Sequence, residues 1–271
     1  MRIAVVSDIH GNLPALEAVH AAIEAAGVDL IVNLGDIASG PLWPAETIDW
    51  LMARDWPTIA GNHERQVLAP DRSLMSASDA YAAARLNETH RAWLASLPPT
   101  CRLDVEVWCC HGTPKSDLHY LMETVTPNHR RSVDSGLRAA SAAELSERLG
   151  DWQRGPALVL CGHTHVAHVA QVPGGPLVVN PGSVGLQAYD DIHPMPHVVQ
   201  AGSPHARWAL LERSAAGWQA ALQATTYDWH AAADQAERNG RGDWADALRS
   251  GWMGRYESDL PRGASGAGAP A

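Results

Sequence analysis

Five short stretches of this sequence carry side chains able to chelate a metal ion. They are Asp8-Ile9-His10, Gly35-Asp36, Gly61-Asn62-His63, His111-Gly112 and Gly162-His163-Thr164-His165. Each begins where an apolar run ends. Taken singly they are weak signals, because Gly-Asp commonly marks a turn and a lone histidine is more often a surface or core residue. In an extended segment residues i and i+2 point to the same side, so one ion could meet both Asp8 and His10. Crowding His163 and His165 onto one side of a loop is costly unless a metal or solvent takes up their lone pairs. Together the segments offer carboxylates, imidazoles and one amide oxygen. That set suits borderline divalent ions such as Mn, Fe, Zn or Ni better than thiolate-seeking ones. Metal-assisted chemistry explains the ordered series better than five coincidental turns do.

Stretches so far apart can meet only if the elements before them end at one place. Residues 2–7, 30–34 and 57–60 read as short buried strands. Helices are expected between them at 13–26, with Pro14 in the first turn and Gly27 at the end, and at 44–54. This alternation argues for a parallel α/β sheet, where ligands bind beyond the carboxyl ends of the strands. Further on, residues 77–96 suit a helix, 101–110 a strand, 130–150 a helix and 157–161 a strand. Residues 166–172 and 176–180 flank Pro173-Gly174-Gly175 as a hairpin, and 207–213 with 218–224 form a second. Short helices are expected at 229–239 and 243–253. The reading is one domain over 1–256 and a flexible Gly/Ala-rich tail over 257–271.

Of the 271 residues, 46% are apolar and 18% charged, as in ordinary globular chains. Acidic residues outnumber basic ones 30 to 20, for a net charge of −10. That balance argues against an extended nucleic-acid footprint, which needs clustered Lys and Arg. It leaves room for a small anionic substrate, because bound cations can reverse a local field. Cys101, Cys109, Cys110 and Cys161 form no C-x-x-C pair and read as buried reduced thiols. No apolar run is long enough for a membrane helix, and the N-terminus lacks the features of a signal peptide, so a cytoplasmic location is expected.

The five stretches resemble the D-x-H, G-D, G-N-H-[DE], H-G and G-H-x-H blocks of the calcineurin-like metallophosphoesterase superfamily. The likeness runs over about residues 3–185 and includes Asn180-Pro181-Gly182-Ser183. The opening Ser7-Asp8-Ile9-His10-Gly11-Asn12 resembles the bacterial phosphodiesterase and diadenosine-tetraphosphatase-like branch. The resemblance implies a two-sheet β-sandwich flanked by helices (αββα), with a dinuclear metal site at the carboxyl ends of the strands. Asp8, His10, Asp36 and His165 would hold one divalent ion, and Asp36, Asn62, His111 and His163 the other, Asp36 bridging. Mn or Fe is favoured, with Zn, Ni or Mg as alternatives. The nucleophile would be a hydroxide bridging the two ions, which clamp an in-line displacement at phosphorus. His63 would face the substrate as proton donor, oriented by a nearby acid such as Glu64. Asn12 and Asn62 would help bind substrate, although Asn12 could simply cap a helix. Arg65 and Lys115 could touch a phosphate but read first as solvated charges, and His193 and His197 could border the cleft.

The implied function is hydrolysis of small nucleotide-type phosphodiesters such as cyclic nucleotides. The alternatives are a phosphomonoesterase, including protein phosphatase or dinucleoside polyphosphate hydrolase activity, and a non-catalytic scaffold, since a retromer subunit shares this likeness.

Overall fold

The first strand, β1 (Arg2–Val6), accounts for the layering of the molecule. Ile3 and Val5 enter one core cluster, Ala4 and Val6 another, and none has exposed area. A strand apolar on both faces has to be covered on both. In this computed structural model, which describes residues 1–130 and 133–259, a second sheet covers one face and helices the other.

After β1, α1 (Leu13–Ala26) runs back across the sheet and β2 (Leu30–Asn33) pairs with β1 in parallel. Next come α2 (Pro44–Met52), α3 (Asn62–Val67), α4 (Ala77–Ala83) and α5 (Glu88–Ser96). β3 (Thr100–Arg102) and β4 (Val107–Cys110) pair antiparallel, as do β5 (Glu123–Val125) and β6 (Leu137–Ala139). α6 (Ala142–Leu149) leads into β7 (Leu158–Leu160) and the hairpin of β8 (His168–Gln171) with β9 (Leu177–Asn180). β10 (Ala188–Asp191) and β11 (His197–Gln200) pair antiparallel, as do β12 (Ala206–Ser214) and β13 (Gly217–Thr225). α7 (Trp229–Arg238) and α8 (Gly242–Ser250) follow.

One sheet has the order β13-β12-β1-β2 and the other β3-β4-β7-β9-β8, with β4, β7 and β9 parallel. Ile3, Val5 and Val32 of the first sheet meet Val107, Cys109, Leu158, Leu160 and Val179 of the second in the central core. The outer face of the first sheet packs on Leu16, Val19 and Ile23 of α1 and on Ala232, Ala236 and Leu248 of α7 and α8. Val159 and Val178 on the outer face of the second sheet pack on Leu145 and Leu149 of α6. The arrangement is the expected αββα sandwich.

Four element readings need correction. Residues 57–60 form only a parallel bridge from Asn33 to Thr58, because Pro57 has no N–H and the Ala60 N–H turns away to the Pro98 carbonyl. The stretch 77–96 breaks into α4 and α5, since Asn87 accepts from the His90 N–H at 2.9 Å and starts a new helix. The stretch 101–110 is a hairpin rather than one strand. Asp104 Oδ1 accepts from the N–H groups of Glu106 and Val107 and closes the turn. Within 130–150 lie β6 and the shorter α6, which begins at the capping box of Ser141 and Glu144; residues 131 and 132 of that stretch lie outside the described residues. β5, β10, β11 and α3 were not anticipated.

Residues 257–259, expected to open the flexible tail, form a short 3-10 turn. Glu257 accepts from Arg241 at 2.7 Å, and its N–H donates to Asp190; residues 260–271 lie outside the described residues. Among the described residues no helix is long and apolar enough to cross a membrane.

Leu16 is fully buried on α1 and Leu222 of β13 is exposed. Leu16→Ala should lower unfolding free energy by about 2–5 kcal/mol, and Leu222→Ala by no more than about 0.5 kcal/mol. Denaturant titration with a fixed m-value reads both. Equal midpoints for the two variants would contradict this packing.

Candidate metal centre

The chelating side chains sit where the core strands end. Asp8 and His10 follow β1, Asp36 follows β2, His111 follows β4, and His163 and His165 follow β7; Asn62 opens α3. The β1 and β7 loops are tied together by the His163 N–H, which donates to Asp8 Oδ2 at 3.2 Å. Asp8, His10, Asp36, His163 and His165 have φ between 53° and 70°, and among the described residues no other non-glycine residue has positive φ. Such backbone costs about 1–3 kcal/mol per residue and clusters at functional sites. Two glycines permit the close approach. A Cβ on Gly61 would lie 2.2 Å from Asp36 Oδ1, and one on Gly162 would lie 2.1 Å from Ser7 Oγ.

Hydrogen bonds set the ring orientations. His10 Nδ1 donates to the Ser39 carbonyl at 2.8 Å, His111 Nδ1 to Leu34 at 2.8 Å, and His165 Nδ1 to Leu186 at 2.7 Å. A carbonyl only accepts, so each Nδ1 carries the proton and each ring, when neutral, turns an Nε2 lone pair inward. There the lone pairs crowd. His10 Nε2 lies 3.0 Å from His165 Nε2, which lies 3.3 Å from Asp8 Oδ1. His111 Nε2 lies 3.1 Å from Asp36 Oδ2. Asp8 Oδ1, His111 Nε2 and Asn62 Oδ1 are buried without a hydrogen-bond partner among the described residues.

Acceptors that converge on one another, buried and unpaired, are destabilising unless a cation lies among them. The donors form two trios, Asp8–His10–His165 and Asp36–His111–His163, each with its atoms within 4.8 Å of one another. The mix of carboxylate, imidazole and amide oxygen therefore fits two divalent ions. An extended loop would put His163 and His165 on the same side. The left-handed backbone at both residues instead sends one to each trio.

Electrostatics agree with this fit. Burial pushes His10 down to about 3 and His163 down to about 4, which keeps both rings neutral. Burial also opposes charge on His111, but Asp36 outweighs it and raises that ring to about 9. Against their own burial, Asp8 is held down at about 2, chiefly by His165, and Asp36 well below the usual carboxylate range, chiefly by His111. Both carboxylates are thus ionised, and a positive charge belongs between His111 and Asp36. A metal ion supplies it with release of the proton.

His63 stands beside the trios on α3 and lines the same cleft. Its Nδ1 donates to Asp79 Oδ1 at 2.7 Å, and its backbone N–H donates to Asp36 Oδ1 at 2.9 Å. Burial works against a charge on His63. Asp79 and Asp36 prevail and carry it to about 10. The acid that orients His63 is therefore Asp79. Glu64, expected in that role, instead accepts from the N–H groups of Asp36, Ile37 and Gly61 and binds the two loops together. Asp79 has no motif around it; the helix start marked by Ser76 is the signal that could have found it.

Asn12 is also corrected. It is fully buried, its amide donates to the Gly185 carbonyl and Tyr227, its oxygen caps α1, and it does not line the cleft. Asn62, Arg65, Lys115 and His193 do line the cleft, with Arg65 paired to Asp117. His197 lies behind the wall and bonds to Tyr120. The wall also contains three aromatic residues not singled out from the sequence. Tyr189 packs on His165 at 4.7 Å, Tyr120 on His163 at 5.0 Å and Trp244 on His10 at 5.8 Å.

Residues 1–195 match the calcineurin-like phosphoesterase superfamily domain. An uncharacterised protein of Methanocaldococcus jannaschii is 27% identical over 207 residues, which cover 68% of this chain and 76% of that one. The fold is similar to that of a metallophosphoesterase from Sphaerobacter thermophilus, at 24% identity and a TM-score of 0.68, covering 93% of this chain and 99% of that one. It is likewise similar to a hypothetical protein from Pyrococcus horikoshii, at 18% identity and a TM-score of 0.70, with the same coverage. With the domain match spanning more than half its length, this chain belongs to the calcineurin-like phosphoesterase superfamily.

Proposed function

We propose that the protein is a dinuclear-metal phosphodiesterase that hydrolyses small nucleotide-type diesters such as cyclic nucleotides. The observation that carries this reading is the pair of donor trios with unpaired inward lone pairs, set beside His63 in one cleft. Asp8, His10, Asp36 and His165 would hold one ion. Asp36, Asn62, His111 and His163 would hold the other, with Mn or Fe the best match to the donors. Two divalent ions so held would neutralise the phosphate oxygens and supply a nucleophile at neutral pH.

The chain's own groups do the rest. Asp79 beside it favours the protonated form of His63, which can donate from the ring nitrogen not held by Asp79. Its targets are a phosphate oxygen or the leaving oxygen as the P–O bond breaks. Asp79 keeps the ring in place, and Glu64 keeps the Asp36 and Asn62 loops in register. Two features favour a diester. The cleft, about 1950 Å³, extends past the trios both toward Leu68 and Met75 and toward Tyr120 and Ile192, which leaves space for both ester substituents. Its walls carry Arg65, Lys115 and Arg148 but more carboxylates, among them Asp71, Glu147 and Asp191, which are in no ion pair among the described residues and repel a dianionic monoester more than a singly charged diester.

Metal-stripped protein should be inactive. After reconstitution with Mn it should cleave bis(p-nitrophenyl) phosphate faster than p-nitrophenyl phosphate. Failure on both substrates with Mn, Ni, Mg and Zn would end the enzymatic reading, and the reverse preference would end the diesterase reading. His63→Gln should retain its metal by elemental analysis and lose about a hundredfold in kcat, as for a typical acid–base group. Near-normal turnover would remove His63 from the reaction. The donor is lost as pH rises through its pKa, so His63 shapes the alkaline limb of the kcat profile. Asp79 raises that pKa, so Asp79→Asn should move the limb to lower pH. An unmoved limb would show that a different group controls it.

A further inference from the structure

α4 carries Asp79 yet spans only seven residues. Isolated helices are marginal even at about 12–15 residues, so its position must come from its neighbours. The segment that holds it lies beyond residue 195, outside the matched family domain. Arg241, 6% exposed, donates from Nη1 to Ser78 Oγ at 2.8 Å. One turn along the same face of α4, the Asn239 amide donates to the Tyr81 hydroxyl at 2.8 Å and to the Pro41 carbonyl at 2.7 Å. Arg241 cannot swing away. Asp243 accepts from its Nε at 2.9 Å and its Nη2 at 2.6 Å, and Glu257 accepts from Nη2 at 2.7 Å. Glu257 is in turn tied to β10 through Asp190. In the same segment Trp244 meets His10 edge-on and lies so close to Gly40 that a Cβ there would be 2.7 Å from the ring.

We infer that Arg241, clamped by Asp243 and Glu257, is a positioning residue for the reaction: through Ser78 it sets α4, and with it the Asp79 carboxylate that aims the His63 ring. The inference rests on the reading of His63 as the group that faces the substrate. A buried guanidinium suits this task because its rigid planar fork holds three partners in fixed directions, whereas the three donors of an ammonium rotate about one point.

Ser78→Ala removes only the link from Arg241 to α4 and leaves the charged cluster paired. Arg241→Lys keeps the charge and loses the fork. Each should lower kcat by roughly 3- to 30-fold through misplacement of a reacting group. KM should stay within about twofold and metal content should be unchanged. In metal-free protein the His63 ring Nδ1–H proton resonance, assigned by its absence in His63→Gln, should shift or broaden in both variants. If Arg241→Lys fails to fold, Ser78→Ala decides alone. An unmoved ring signal in Ser78→Ala overturns the inference whatever the activity, as does a wild-type kcat in that variant. A shifted signal in a protein whose wild type turns over no phosphoester upholds the clamp and counts against the functional reading alone.

Discussion

The structure depends on a conflict among acceptors. The carbonyls of Ser39, Leu34 and Leu186 hold the Nδ1 protons of His10, His111 and His165, so the Nε2 atoms of His10 and His165 converge on each other and on Asp8, and that of His111 on Asp36. Nothing apolar could relieve that crowding, and a single proton relieves only part of it. Divalent cations would relieve all of it.

Holding such a site takes rigidity. The five left-handed residues are strained on their own, and they persist because the strands beneath them are buried on both faces. β1 and β2 end beside one another in one sheet, β4 and β7 in the other, and the central core locks the two sheets together. Glu64 then spans the sheet ends by accepting three backbone N–H groups from two loops. Glu64 thus serves the backbone, and the ring it adjoins in sequence is served by another carboxylate.

Charge is arranged in the same spirit. A chain of net charge −10 lines its cleft with carboxylates, yet holds hydrogen-bonded rings at the two trios and paired cations behind them. The His63–Asp79 pair is one such unit and the Arg241 cluster behind α4 is another. Both place a buried charge against partners that satisfy it, which avoids the desolvation cost of an isolated ion.

Much of this was legible in the residues themselves. The apolar runs before Asp8, Asp36, His111 and His163 located the strands, and their order made convergence at one rim the economical expectation. Pro14 and Gly27 marked α1 correctly, and Pro173-Gly174-Gly175 marked a hairpin. What escaped was whatever depends on partners distant in the chain. Asp79 is an unremarkable helix residue until α4 is laid against α3, and Arg241 is a generic basic residue until α8 brings it to Ser78. The division of His163 and His165 between the two trios was implied by the family resemblance, and its physical basis lies in backbone angles that no period-two reading anticipates. Residue type and spacing determined which atoms could bind a cation, because donor chemistry is local. Only the tertiary structure decided which atoms share one, because that depends on where strands end and how loops turn in space.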